Sequence, residues 1–264
     1  MLTLVTALAS AGAGWMPART AVVEPDADGT ATVWKVPFDP RYDRAPIVVG
    51  AIDHRVAQLQ RHLTELGVFR GEIDGEYGRE TAAAVVAVHK LAGIERSTTW
   101  ALEDWSLELD HTLILAQHPD EPDRLEVDLG RQVLFVIRDS EVAAVVPVST
   151  GNGAVYFSKN SGNVRARTPR GNFRLFKHVD GWRVNYLGAL YKPWYFTPYY
   201  AVHGSSSVPA YPASHGCVRV PTWESDHLDA LLEVGLPIHI WDQPVVPEPV
   251  DEPAPAGNPL DDLV

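Results

Sequence analysis

The sequence predicts a mixed chain, a small all-α domain followed by a mainly β domain, and three observations carry that prediction. Between Val56 and Leu66 apolar residues recur at three- and four-residue steps, the stripe of an amphipathic helix. From Leu125 to Val148 apolar and polar residues alternate between turn signals, the pattern of antiparallel strands. The composition, 45% hydrophobic and 21% charged over 264 residues, is that of a globular protein with room for one large domain or two modest ones.

The segment 1–50 carries neither pattern. Leu2 to Gly14 (LTLVTALASAGAG) resembles the apolar, small-residue end of an export signal, although no Lys or Arg precedes it. It is too short to cross a bilayer as a helix. Trp15 to Gly50 mixes prolines and acids with short apolar pieces such as Ala31 to Val36, which fits a strand or two or a tether.

The helical domain is expected over 51–105. Val56, Leu59, Leu63 and Leu66 form the stripe and Gly67 stops the helix. Gly71, Asp74-Gly75 and Gly78 mark a tight loop, and a second helix runs from Glu80 to Ala92 before Gly93. Trp100, Leu102 and Trp105 cap the module. The stretch 106–123, ending in the prolines and acids of His118 to Asp123, reads as a polar and rather stiff linker.

The β domain is expected over 124–242. Leu125, Val127 and Leu129 alternate with Glu126 and Asp128 as a half-buried strand, then Val133 to Ile137 and Val142 to Val148 complete a three-stranded meander. Turn chemistry alone accounts for Thr168-Pro169-Arg170-Gly171-Asn172-Phe173. Gly181 to Tyr200 is rich in aromatics, divided between core and one wall of a cleft. Tyr191 and Trp194 flank the loop-like pair Lys192-Pro193 and are expected in that wall. A helix capped by Thr222 follows, with Glu224 and Asp226 in its first turn and Leu228, Leu231 and Leu232 as its buried stripe. Pro237 to Trp241 closes the domain as a strand, with His239 on its polar face. The last stretch, 243–264, has prolines and acids without periodicity, the composition of a disordered acidic tail.

Chemistry concentrates in Ala201 to Val220, AVHGSSSVPAYPASHGCVRV, which holds the only cysteine, Cys217. His203 ends an apolar run, and His215-Gly216 precede the cysteine. A thiol with an imidazole brought near it is the arrangement of a nucleophile and its base. Gly216 permits close backbone approach, so N–H groups near Cys217 can meet a developing oxyanion. Two other readings stay open: Cys217 as a small buried hydrophobe, and His203, His215 and Cys217 as zinc ligands. The net charge of −12 argues against nucleic acid or an anionic membrane surface as partner.

Taken whole, His203-Gly204 followed by Ser214-His215-Gly216-Cys217-Val218-Arg219 resembles the active-site motif of the L,D-transpeptidase (YkuD) catalytic domain. Thr168-Pro169-Arg170-Gly171-Asn172-Phe173 matches a further piece of that family. Leu59-Gln60, Leu66-Gly67, Ile73-Asp74-Gly75 and Tyr77-Gly78 resemble the small helical peptidoglycan-binding domain, which often has Phe-Gln where this chain has Val88-His89. The first resemblance implies Cys217 as nucleophile and His203 as general base or acid. It implies Ser214, His215, Gly216 and the Cys217 amide around the oxyanion, with Arg219 and Gly204 as further substrate-side residues beside the Tyr191 and Trp194 expected from the aromatic stretch. It implies peptidoglycan stem peptides and glycan as partners, acyl transfer from the bond to a terminal D-alanine onto an amine of another stem, and a location outside the cytoplasm. Water as acceptor gives an L,D-carboxypeptidase instead, and a vestigial site gives a wall-binding protein. No metal, cofactor, nucleic acid or membrane-spanning domain is expected. The His203 to Cys217 interval of fourteen residues is short for the family.

Overall fold

The computed structural model describes residues 44–159 and 162–242, together with the backbone of three short strands before them. The side chains of 1–43, where an export signal is expected, and the segment 243–264, expected to be an acidic tail, lie outside the described residues. The three strands, β1 (Leu4–Val5), β2 (Ala21–Pro25) and β3 (Thr32–Lys35), pair antiparallel in chain order. The chain forms two compact units divided after Glu108. No helix among the described residues is long and apolar enough to cross a membrane.

In the first unit, α1 (His54–Glu65) and α2 (Arg79–Ala92) occupy the two predicted positions. The Asp53 carboxylate caps α1 by accepting from the Arg55 and Val56 amides, which otherwise have no helical partner. Val56, Leu59 and Leu63 are fully buried. Gly93 ends α2 at φ 69°, a backbone angle that costs glycine little. The Asp74-Gly75 loop is pinned through Gln60, whose amide donates to Asp74 at 2.7 Å and accepts from the Gly75 N–H at 2.9 Å. Val88 and His89 are core residues; His89 bridges the Ser97 carbonyl and the Asp104 carboxylate.

The second unit begins before the expected boundary. Within the supposed linker 106–123, Thr112–Gln117 forms α3 and Ile114 is buried. The Arg124 guanidinium donates to the carbonyls of Ile114, Leu115 and Glu121 and to the Glu126 carboxylate. Burial of Ile114 and the carbonyls taken up by Arg124 explain why this piece does not stay in solvent.

One sheet contains β4 (Arg124–Asp128), β5 (Val133–Arg138), β6 (Glu141–Pro147), β9 (Gly171–Arg174) and β15 (Pro237–Trp241), in the order β6-β5-β4-β15-β9. Between β6 and β9 lies a hairpin of β7 (Val155–Ser158) and β8 (Gly162–Arg165). The second sheet contains β10 (Lys177–His178), β11 (Trp182–Asn185), β12 (Gly188–Tyr195), β13 (Ala201–Ser205) and β14 (Val218–Pro221), with β11 hanging from β12. Leu125, Val127, Leu134 and Val136 from one sheet meet Val202, Val218 and Val220 from the other in a single core, a face-to-face packing of two apolar surfaces.

Three expectations need correction. β4 is buried on both faces rather than half-buried: Glu126 and Asp128 are sealed in because Arg124, Trp241 and Arg131 satisfy their oxygens. His239 is likewise buried, between Asn172, Glu121 and the stacked ring of His118. The helix α4 (Thr222–Asp229) has Pro221, not Thr222, at its N-cap, and Leu231 and Leu232 lie beyond its end. Thr222 is the first residue with helical geometry, since Pro221 closes β14.

Candidate active site

The site is built on β13 and β14, which run side by side in parallel, with Val202 opposite Val218 and His203 opposite Arg219. Side chains alternate along a strand. Val202, Val218 and Val220 therefore enter the core, while His203 and Arg219 share the other face, and Cys217, in the bend just before β14, lines the same cleft. The apolar run that ends at His203 and the Val-Arg-Val after Cys217 thus serve the same purpose. They anchor the core and turn the reactive side chains outward together.

His203 is 5% exposed, and its Nδ1 lies 2.9 Å from the Gly204 carbonyl. Nδ1 donates in that bond, which leaves Nε2 as the basic nitrogen. Burial pushes the imidazole down to about 4, opposed by the Gly204 carbonyl and assisted by Arg219. Burial also pushes the Cys217 thiol above its ordinary value, opposed by a hydrogen bond from the Ala201 backbone and by Arg219. Both shifts favour the neutral form, the thiol of Cys217 and the uncharged imidazole of His203.

The loop before Cys217 is braced internally. Ser214 Oγ donates to the Cys217 carbonyl at 2.6 Å and accepts from the Gly216 N–H at 3.0 Å. Gly216 adopts φ 135°, and a Cβ there would collide with the Tyr200 ring and stand 2.9 Å from the Arg167 carbonyl. Only glycine fits. Its carbonyl accepts from Thr168 Oγ1 at 2.8 Å, and the same hydroxyl accepts from the Gly151 N–H. Bridges from Ser149 to Arg219 and from Gly151 to Ser214 tie this loop to the end of β6. Among the described residues the amides of His215 and Cys217 donate to no acceptor.

Cys217, His203, His215, Ser214 and Arg219 line a cleft of about 780 Å³. Tyr156, Trp182, Tyr186, Tyr195, Tyr199 and Tyr200 supply its aromatic walls. His215 packs edge-on against Tyr156 at 4.7 Å between centroids. The hairpins β7–β8 and β11–β12 touch across the cleft: the Lys159 N–H donates to the Tyr186 hydroxyl at 3.3 Å, and its ammonium lies 4.9 Å from that ring's centroid.

Tyr191 and Trp194, expected in the cleft, are placed elsewhere. The Tyr191 hydroxyl donates to Asp226 at 2.9 Å and Trp194 Nε1 to Asp229 at 3.1 Å, both on α4. Lys192-Pro193 is not a loop but a bulge inside β12, with Lys192 at φ 43° and the register shifting between Tyr191 and Trp194. Such a bulge redirects the side chains around it. Gly204 also faces α4, since a Cβ there would meet Ser225 and Tyr191; its carbonyl, not its amide, serves the site.

His203, His215 and Cys217 do not converge as a ligand set. Among the described residues two other groups come close enough to share an ion, His118-Glu126-His239 and His178-Asp180-Asp229. Glu126 is engaged by Arg124 and Trp241, and Asp229 by Lys192. Thr168, Tyr156 and Tyr200 were not singled out from sequence as site residues. The Thr-Pro-x-Gly-x-Phe spacing was the available signal for Thr168, and turn chemistry explained it too readily.

Comparison with known proteins adds to this geometry. The family model described as the L,D-transpeptidase catalytic domain (YkuD) matches residues 122–240, and that of a peptidoglycan binding domain matches residues 53–97. A crystal structure of an L,D-transpeptidase from Xylanimonas cellulosilytica is 33% identical with a TM-score of 0.68, covering 78% of this chain and 100% of its own. The chain belongs to the L,D-transpeptidase family. The two family models fall one on each unit, the peptidoglycan binding domain on the first and the catalytic domain on the second. An L,D-transpeptidase from Stackebrandtia nassauensis matches at 20% identity and a TM-score of 0.40, covering 76% of this chain and 97% of its own. One from Mycobacterium smegmatis matches at 19% and 0.36, covering 46% of this chain and 58% of its own. No curated protein matches.

Proposed function

We propose that this chain is a peptidoglycan L,D-transpeptidase with Cys217 as nucleophile and His203 as its base. The observation that carries the reading is that His203 on β13 and Cys217, the residue directly before β14, line the same cleft, with Nδ1 of His203 committed to the Gly204 carbonyl. Nε2 is then free to take the thiol proton as sulfur attacks the carbonyl of the third stem residue. The oxyanion that forms meets the His215 and Cys217 amides, while the Gly216 amide is held by Ser214 and serves the loop instead. Collapse breaks the C–N bond, the imidazolium returns its proton to the departing D-alanine amine, and a thioester remains on Cys217. An amine of a second stem, deprotonated by His203, attacks the thioester and releases the thiol with a new 3→3 amide bond. Arg219, lining the same cleft, stabilises the developing thiolate by its positive charge.

The helical unit adds local concentration. A module that holds the enzyme on an insoluble polymer raises the effective concentration of stems around the thiol. This reading places the protein outside the cytoplasm, where such a polymer lies. The test is product analysis after incubation with a disaccharide-tetrapeptide. Release of D-alanine with a 3→3 dimer supports cross-linking, D-alanine with free tripeptide supports carboxypeptidase action, and neither product from wild-type enzyme refutes the reading.

A further inference from the structure

The chain is acidic, with 34 Asp and Glu against 22 Lys and Arg. Its cleft is the reverse. Lys177, Arg183 and Arg219 line it, and no aspartate or glutamate does. In the same unit Arg124, Arg131, Arg138, Arg170, Arg174 and Lys192 each hold a carboxylate partner. Among the described residues, Lys159, Arg165 and Arg167, like the three cleft cations, have none within 4.0 Å. The acids of the neighbouring elements are engaged away from the cleft: Asp226 and Asp229 both bind the Lys192 ammonium, and Asp180 clusters with His178 and Asp229.

The three cations are also graded in depth. Arg219 is half-buried on the face of Cys217 and interacts electrostatically with it. Lys177 pairs with Tyr195 across the β10–β12 ladder, its ammonium 5.9 Å from the ring centroid. Arg183, on β11, acts on the same Tyr195, which also feels Cys217. Arg219 therefore stands nearest the nucleophile, and Lys177 and Arg183 share Tyr195 as a neighbour. A cleft lined by one sign of charge focuses its field on whatever enters, and guanidinium groups pair with carboxylates through two parallel hydrogen bonds.

We propose that the cleft selects, as acyl donor, stem peptides whose carboxyl groups are free acids, with Arg183 and Lys177 forming an outer carboxylate subsite that discriminates them from the same stems in amidated form. The inference rests on Cys217 as the acylated thiol and adds what the donor must carry. Converting one carboxylate to a carboxamide keeps the shape of the peptide and removes the charge, so the pair isolates the electrostatic contribution.

The test compares second-order acylation rates for two tetrapeptide stems that differ only in carboxylate against carboxamide, with a carbapenem as a separate acylating probe. The acid form is expected to react about tenfold faster at low salt. That ratio should shrink as salt rises and fall to within about twofold in the Arg183→Gln/Lys177→Gln variant, whose two changes are at exposed positions. Equal rates, or faster reaction of the amide, on enzyme that the carbapenem acylates at Cys217 would overturn the subsite and leave the thiol mechanism standing. No acylation by either peptide or by the carbapenem would overturn the thiol mechanism and this inference with it.

Discussion

The electrostatics of the resting site lead to a prediction about thiol reactivity. Burial holds the Cys217 thiol above its ordinary 9.0 and holds His203 at about 4. The proton therefore rests on sulfur, and moving it to Nε2 in the empty site is uphill. At pH 7 the thiol is overwhelmingly protonated, and each unit of rising pH raises the thiolate fraction about tenfold. The assay is alkylation of the free enzyme by iodoacetamide from pH 5 to pH 10. The rate should climb about tenfold per unit across pH 6 to 9 with no plateau below pH 7. Peptide acylation should behave differently. Neutral His203 is available wherever the pH exceeds about 4, so kcat/KM should keep its acid limb near pH 4 rather than 6.5. An alkylation plateau between pH 5 and 7, at a sizeable fraction of the maximal rate, would show a preformed thiolate–imidazolium pair and refute this reasoning.

Further outcomes follow from the bracing of the loop and of the sheet. Gly216→Ala forces a Cβ into the Tyr200 ring at φ 135°; we expect a cost of about 1–3 kcal/mol, a Tm lower by several degrees and acylation slowed at least about a hundredfold, read by calorimetry and mass spectrometry. Ser214→Ala removes the acceptor of the Gly216 N–H and the donor to the Cys217 carbonyl. It should cost about 1–3 kcal/mol in denaturant titration and lower kcat more than it raises KM. Glu126→Ala strips the carboxylate from the buried Arg124, and leaving that charge uncompensated should cost about 3–5 kcal/mol of unfolding free energy.

Much of this was legible in the sequence, and the reasons are local. The stripe Val56-Leu59-Leu63 and the Asp53 and Gly93 boundaries specify the helical unit through periodicity and capping, both short-range signals. His203 and Cys217 were legible because a residue pattern and its strand alternation carry the site within one stretch of chain. Tyr191 and Trp194 were not, because a bulge changes the face to which side chains point without changing composition. The burial of Glu126 and His239 was hidden for another reason. Their partners, Arg124, Trp241, Asn172 and Glu121, come from β4, β9, β15 and the segment after α3, and only tertiary pairing reveals that the polar face is covered. The charge asymmetry of the cleft was equally invisible. A net charge of −12 does not say that a cleft lined by three cations holds no carboxylate.

The central claim is that Cys217 becomes covalently acylated with the help of His203. Intact-protein mass spectrometry after exposure to a carbapenem and, separately, to a disaccharide-tetrapeptide tests it most directly, with peptide mapping of the adduct. The account predicts one acyl mass on wild-type protein, located at Cys217, absent in Cys217→Ala and formed far more slowly in His203→Ala, with the helices and sheets of all three proteins intact. An adduct that persists in Cys217→Ala, or wild-type protein that is folded and reduced yet gains no mass from either reagent, would contradict it.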